Sequence, residues 1–415
     1  MPNGETGRML LVGGAGSSPL GIDIAVTLIA QAASRGLQTH IIARDADLAA
    51  TRQACELADD VSVVDFLDTG AAVDWAAGQE KLGHRFDIVF SMREIAQATT
   101  AEIARALGVA GNPPEAIRLV NVKDACRQQL AAAGFRQPRV TLCHDGREAR
   151  RALAGIGGPC VVKPRSKAGS EGVSLVTGPA DLAAALERLP GGEPFLVEEL
   201  VEGTEYSVEG LFRRGEPEIL AITAKDKFPP PGFIERGHAL PAALPRDEHL
   251  SITETVRNAL LSTGLRFGIF HAELWLTPHG VVMGELHARQ GGDFLHLLLS
   301  AAIPGLEMFG DVFDDALGRP PREEVYRPTR AAAIRYFAPP PGRLESLTGW
   351  EQATSHPAVL MAELKVAPGD EIVPYASSDD RVAAIAVSAD TVGEATQLAR
   401  ELAESVQFTV GAEPG

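Results

Sequence analysis

Two glutamates, Glu273 and Glu285, stand in the stretch 268–293, which reads as two apolar strands joined by a turn at Pro278, His279 and Gly280. In such a hairpin the two residues lie nearly opposite each other, close enough for both carboxylates to hold one cation. Hard divalent ions such as Mg2+ or Mn2+ prefer oxygen ligands and bridge one or two carboxylates to a nucleotide's phosphates. The competing reading is an ordinary solvent-facing ribbon, because strand glutamates are mostly exposed. Against it stands the continuation of the second strand. Glu285, His287 and Arg289 occupy alternate positions, so a carboxylate, an imidazole and a guanidinium point to one face, and Gly291, Gly292 and Asp293 follow. Such a face offers no apolar packing and suits an anionic ligand.

Cationic groups that could meet phosphate come earlier in the chain. The apolar run 159–164 ends in Lys163, and a buried ammonium at a strand end demands an anionic partner. The loop after it carries Ser166, Gly169, Ser170 and Gly172, whose small side chains let backbone N–H groups approach a polyphosphate. It is not a Walker loop, since Gly-Lys-Ser/Thr is missing. Lys123, at the start of an amphipathic helix, reads by itself as a surface lysine. Farther on, an apolar run ends in Glu198 and Glu199 and continues through Leu200 and Val201 to Glu205. That suits a hinge whose backbone reads a base edge; the same run also reads as a solvated loop with Glu199, Glu202 and Glu209 exposed.

In combination these features resemble the ATP-grasp superfamily, where a strand glutamate is followed about a dozen residues later by Glu-x-Asn-x-Arg. Here His287 stands at the asparagine's position. The resemblance covers roughly residues 120–310, and the order of its parts is more specific than any one part. It implies ATP and Mg2+ (or Mn2+) as cofactors, with Glu273, Glu285 and His287 at the metal. It places Lys123 and Lys163 on the phosphates, with Ser166, Gly169, Ser170 and Gly172 in the phosphate loop. Glu198, Glu199, Leu200 and Val201 then run along adenine and Glu205 takes the ribose. Arg289, Lys163 and Glu285 become the catalytic set. Arg289, Gly291, Gly292 and Asp293 face the substrate, with Lys225, Arg236 and His238 from the Pro/Gly-rich segment 222–241. The layout looks most like the stand-alone amino-acid ligases of the bacilysin type, which make dipeptides. It implies that ATP phosphorylates a carboxylate and an amine displaces the phosphate, joining two small molecules. Two alternatives remain open: a carboxylase or ligase acting on a non-amino-acid carboxylate, and a nucleotide-binding regulatory protein without turnover.

The elements that must position these residues form a multidomain chain of α/β and α+β class, since 415 residues exceed one ordinary core. Residues 1–117 read as a doubly wound α/β domain: a strand at 9–12, a glycine loop at 13–16, a helix start at Ser17, Ser18 and Pro19, and strands at 39–44, 61–64 and 87–90. The glycine spacing does not fit a dinucleotide fingerprint, and no acidic residue ends the strand 39–44. Residues 118–200 and 201–319 read as the two ATP-grasp subdomains. Two helices at 294–302 and 308–317 read as core packing, with His296 structural. Residues 320–415 read as an α+β cap, with strands at 331–337, 359–366 and 383–388 and a helix at 392–405, carrying no catalytic constellation. It either closes over substrate or makes a subunit contact, so a homodimer is among the expected assemblies.

Composition limits the partners. The chain is 45% hydrophobic and 22% charged, with no apolar run approaching the length of a membrane span. The start of the chain lacks a basic flank, so it reads as a first strand and not a signal, which makes cytoplasm the expected location. A net charge of −17 repels nucleic acid, and no basic stripe interleaves with aromatics. Four cysteines without metal-ligand spacing fit core positions in a reducing compartment.

Overall fold

The computed structural model describes residues 7–166, 169–229, 233–322 and 325–411. Lys167 and Ala168 of the expected phosphate loop, and Pro230, Pro231 and Gly232 of the expected recognition segment, lie outside the described residues. Among the described residues no helix is long and apolar enough to cross a membrane.

The N-terminal sheet is parallel, with β1 (Gly7–Val12), β2 (Leu37–Ala43), β3 (Asp60–Val63) and β4 (Ile88–Phe90) in the order β3-β2-β1-β4. Met9 to Val12 form an uninterrupted apolar run because helices cover both faces, and all four are fully buried. After β1 the chain turns through Gly13, Gly14 and Gly16 at φ of 84°, 58° and 74°, the left-handed region that glycine alone enters freely. Ser18 caps the helix Pro19–Ala33 by accepting from the Gly21 N–H.

A second, antiparallel sheet contains β5 (Val140–Cys143), β6 (Cys160–Pro164), β7 (Ser174–Val176) and β8 (Phe195–Glu199) in the order β5-β8-β6-β7. The third sheet begins with β9 (Thr204–Arg213), β10 (Glu216–Lys227), β11 (Glu235–Leu240), β12 (Ile269–Thr277) and β13 (Gly280–His287). The C-terminal residues then supply β14 (Ala331–Phe337), β15 (Gly342–Thr348), β16 (Val359–Leu364), β17 (Glu371–Ile372), β18 (Ala383–Ala389) and β19 (Gln407–Val410).

Of these, β14, β18 and β16 continue the third sheet, giving eight strands in the order β13-β12-β9-β10-β11-β14-β18-β16. The boundary expected between 319 and 320 therefore separates strands that share one sheet. Gly237 permits the join: a Cβ there would lie 2.5 Å from the Ile334 carbonyl oxygen, so a side chain would push β11 and β14 apart. The boundary expected at 117/118 falls inside the helix Pro114–Val120.

One core cluster links the N-terminal domain to the third sheet. Phe309 and Phe313, on the helix Met308–Ala316, meet Phe90 of β4 edge-on at 6.3 and 5.6 Å between ring centroids. Each buried side chain of this size contributes about 1.5–3 kcal/mol of burial, which fixes the N-terminal glycine loop against the large sheet. Cys126, Cys143 and Cys160 are buried and all four cysteines are free thiols.

Candidate active site

A cavity of about 810 Å³ lies between the second and third sheets and is also walled by Ser18, Pro19 and Leu20 of the N-terminal domain and by Lys365 and Arg381, just after β16 and just before β18. The hairpin β12–β13 supplies its floor. Its register, His271 opposite His287 and Ala272 opposite Leu286, is broken between Ala272 and Leu274. Gly284 lets the strands close at this irregularity, since a Cβ there would fall 2.7 Å from the Glu273 carbonyl oxygen. Glu273 and Glu285 both line the cavity.

Glu285 receives lysines from two other elements. Lys123 Nζ, from the helix Lys123–Ala132, lies 2.6 Å from Glu285 Oε2, and Lys163 Nζ, at the end of β6, lies 3.3 Å from Oε1. Lys163 also reaches Glu198 Oε2 at 3.1 Å. Burial favours the neutral carboxyl of Glu285, yet Lys123, Lys163 and the His287 ring outweigh it and hold its pKa well below the usual range. Glu198 is 4% exposed and gripped by Arg127 through Nε–Oε1 at 2.7 Å and Nη2–Oε2 at 3.1 Å. Its side chain belongs to this ion-pair chain, while Glu198, Glu199, Leu200 and Val201 together line the cavity.

Lys225 organises the next cluster. It sits within β10, not in a recognition loop, and its Nζ meets Glu205 at 2.7 Å, Glu235 at 3.1 Å and Glu273 at 3.2 Å. Burial opposes its charge, but the three carboxylates raise its pKa well above the ordinary lysine value. Glu205 also pairs with Lys227 and accepts from Trp275 Nε1 at 3.1 Å.

Behind Glu273 runs a line that sequence reasoning missed. Ser207 Oγ donates to Glu209 at 2.7 Å, Glu209 pairs with His271 Nδ1 at 2.9 Å, and His271 Nε2 lies 3.3 Å from Glu273. Glu209, read above as a loop residue, is 2% exposed in the interior of β9. Burial disfavours the His271 charge, but Glu209 lifts its pKa to about 9. The available signal was the alternation of Ser207 and Glu209 on one strand face, with His271 two residues before Glu273.

At the far end, Asp293 accepts from His238 Nε2 at 2.8 Å and from both terminal nitrogens of Arg381, at 2.5 and 2.9 Å. The Arg381 guanidinium lies 3.7 Å above the Tyr336 ring. The C-terminal residues, expected to carry no constellation, thus complete the wall. Nothing in their local pattern marks Arg381; its role comes from β14 and β18 joining the sheet.

Several expected contacts need correction. Ser166 does not line the cavity; its Oγ donates to Glu193 at 2.6 Å. Gly172 is also off the wall, at φ 71°, where a Cβ would press on Pro164 at 3.0 Å, so it shapes the loop; Gly169 and Ser170 do line the cavity. Arg236 is turned away by a two-point pair with Asp226, 2.9 Å at each contact. Gly291 allows close packing, since a Cβ would come within 2.6 Å of Leu295 Cδ1, whereas Gly292 reaches the cavity. His287 is buried behind Glu285, with Nδ1 3.5 Å from Glu94 and Nε2 3.6 Å from Glu285. Burial and Arg289 lower its pKa from the ordinary histidine value, while Glu94 and Glu285 act in the opposite direction. Arg289 does line the cavity, held by Glu94.

The donor set suits a hard divalent cation. Glu273 and Glu285 offer oxygen ligands on one wall, with no thiolate beside them. No group of three His, Cys, Asp or Glu side chains among the described residues forms a protein-only metal cage. Mg2+ is commonly bound by one or two carboxylates plus phosphates and water, which is what two glutamates facing lysines can provide.

This fold and site define a class. Residues 156–296 match the ATP-grasp domain family, and the chain is a multidomain protein of ATP-grasp fold. Residues 335–411 match L-amino acid ligase C-terminal domain 2, a span that includes β16 and β18 and the end of β14. Uncharacterized protein y4rH of Sinorhizobium fredii is 29% identical over 387 residues, 91% of this chain and 79% of that protein. Alanine–anticapsin ligase of Bacillus amyloliquefaciens is 29% identical over 218 residues, 46% of this chain and 45% of that protein. The crystal structure of L-amino acid ligase from Bacillus licheniformis superposes with a TM-score of 0.80 at 22% identity, over 98% of this chain and 99% of that one. The chain spans less than half the length of that curated ligase relative.

Proposed function

We propose that the protein is an ATP-dependent carboxylate-amine ligase that joins two amino acids, or an amino acid and a similar small molecule, through an acyl phosphate. The observation that carries this reading is the convergence on Glu285 of Lys123 and Lys163 from two separate elements, inside a cavity that also holds Glu273 and Arg289. Lys123 and Lys163 bind the phosphates, exchanging their present carboxylate partner for phosphate oxygens. Glu273 and Glu285 hold Mg2+ (or Mn2+), which when bound offsets the charge developing on the transferred phosphoryl group. Arg289 offers paired donors to the acyl phosphate, a geometry that a lysine cannot copy. Leu200 and Val201 face the base and Glu205 the ribose, while Gly292, Asp293 and His238 border the carboxylate substrate. The chain's contribution is positioning and charge neutralisation, and no nucleophilic side chain is required.

The alanine–anticapsin ligase relative and the L-amino acid ligase C-terminal domain support amino acids as the substrate class. The test is phosphate release across a matrix of amino acids and small carboxylic acids with ATP and Mg2+, with products identified by mass. An amide product in equal amount with phosphate is expected. Phosphate release that requires bicarbonate, or none with any pair, would sink the reading.

A further inference from the structure

We infer that Glu94, a residue of the N-terminal domain outside the cavity, is a positioning residue for Arg289; the inference rests on the ligase reading above. Arg289 Nε donates to Glu94 Oε2 at 2.7 Å, Nη2 forms an ion-pair contact with the same oxygen at 2.6 Å, and Nη1 donates to the Gln290 carbonyl oxygen at 2.8 Å. A guanidinium carries five N–H groups, so two are committed to these hydrogen bonds and three remain, all on the terminal nitrogens. Those are the donors available to an oxyanion in the cavity, whose wall Arg289 forms. Without Glu94, the long side chain would spread over several rotamers, and the Nε donor would need another partner.

Glu94 itself is rigidly mounted. It follows Arg93, whose Nη1 donates to the Gly13 carbonyl at 2.7 Å and whose guanidinium lies 5.4 Å over the Phe66 ring. Ser91 Oγ donates to the Val12 carbonyl at 2.8 Å, and Gln290 Nε2 returns to the Met92 carbonyl at 3.1 Å. Residues 91–94 thus fasten the end of β1 to the residues just after β13, and Glu94 fixes the guanidinium at that junction. Its carboxylate sits between the Arg289 guanidinium and the His287 ring, whose Nδ1 lies 3.5 Å away. The sequence gives no hint of this, because Glu94 is nearly two hundred residues away from Arg289.

The role can be read without knowing the substrates. Calorimetry with Mg-ADP alone, and with Mg-ADP plus aluminium fluoride as a mimic of the transferred phosphoryl group, separates nucleotide binding from donors aimed at that group. Arg289→Lys should lose the preference for the fluoride complex. Glu94→Gln should lose about tenfold or more of it, the range found for residues that orient a ligand-binding group, with Mg-ADP affinity and unfolding temperature near wild type. Glu94→Asp, which keeps the charge but withdraws it, should fall between. A wild-type preference in Glu94→Gln, with Arg289→Lys impaired, would overturn the inference alone. Failure of the wild type to bind Mg-ADP would overturn the ligase reading and this inference with it.

Discussion

Glu285 and Asp293, both on the cavity wall, are half-buried and paired, yet the pairs differ in kind. Glu285 is met by two lysines, single point charges on flexible stems that arrive from other elements, one of which it shares with Glu198. Asp293 is met by the planar fork of Arg381, with His238 completing the set and Tyr336 stacked beneath. Lysine can exchange one oxygen for another at small geometric cost, whereas a bidentate guanidinium pair is a fixed joint. On the proposed ligase reading, the Glu285 end can trade partners with phosphate and metal, while the Asp293 end holds Arg381 in place.

The largest expected effect tests the fixed joint. Arg381→Ala leaves the half-buried Asp293 charge with only His238 beside it, and should lower stability by about 3 kcal/mol, the lower end for a buried pair that loses one partner, seen as an earlier unfolding transition. A wild-type transition would show that the joint bears no load. At the other end, Glu285→Gln should leave the fold intact while cutting phosphate release by about a hundredfold, the upper range for loss of metal-centre support. Unchanged turnover would remove Glu285 from the metal site. A smaller effect, about a tenfold rise in the ATP concentration needed, is expected for Lys163→Ala, since Lys123 still serves Glu285 and Arg127 still pairs Glu198. If nucleotide affinity is unaltered, Lys163 serves only the protein's own carboxylates.

The subtlest test concerns pH. Burial would raise the Asp293 carboxyl, but His238 and Arg381 hold it well below the ordinary range. A depressed folded pKa contributes stability above the unfolded value of about 3.9 and loses it as pH falls below that. Asp293→Asn should thus be less stable than wild type at neutral pH, with the gap narrowing below about pH 4. A gap independent of pH would mean that the loss is one of shape and not of charge.

The contrast also separates what could be read in advance from what could not. The shared face of Glu273, Glu285 and Arg289 was legible because strand alternation and hairpin length constrain which side chains lie together, whereas Lys123, on a helix, was reached only through the family resemblance. The strand 331–337 and the helix 392–405 were legible from their apolar periodicity, and the structure has them at Ala331–Phe337 and Val392–Ser405. Glu209 was misread because five glutamates in a short run look solvated until the sheet forms around them. Glu94 and Arg381 had no local signal at all.

The sequence by itself determined the strand-borne charges of the site, since a period of two and a short turn act over a few residues. Tertiary structure alone decided their partners: the joining of β11 to β14 brought Arg381 to Asp293, and the packing of Phe309 and Phe313 on Phe90 carried Glu94 to Arg289. The physical reason is distance along the chain. A buried carboxylate requires a cation, but which one it receives depends on the element that packs beside it, and no spacing in the sequence records that.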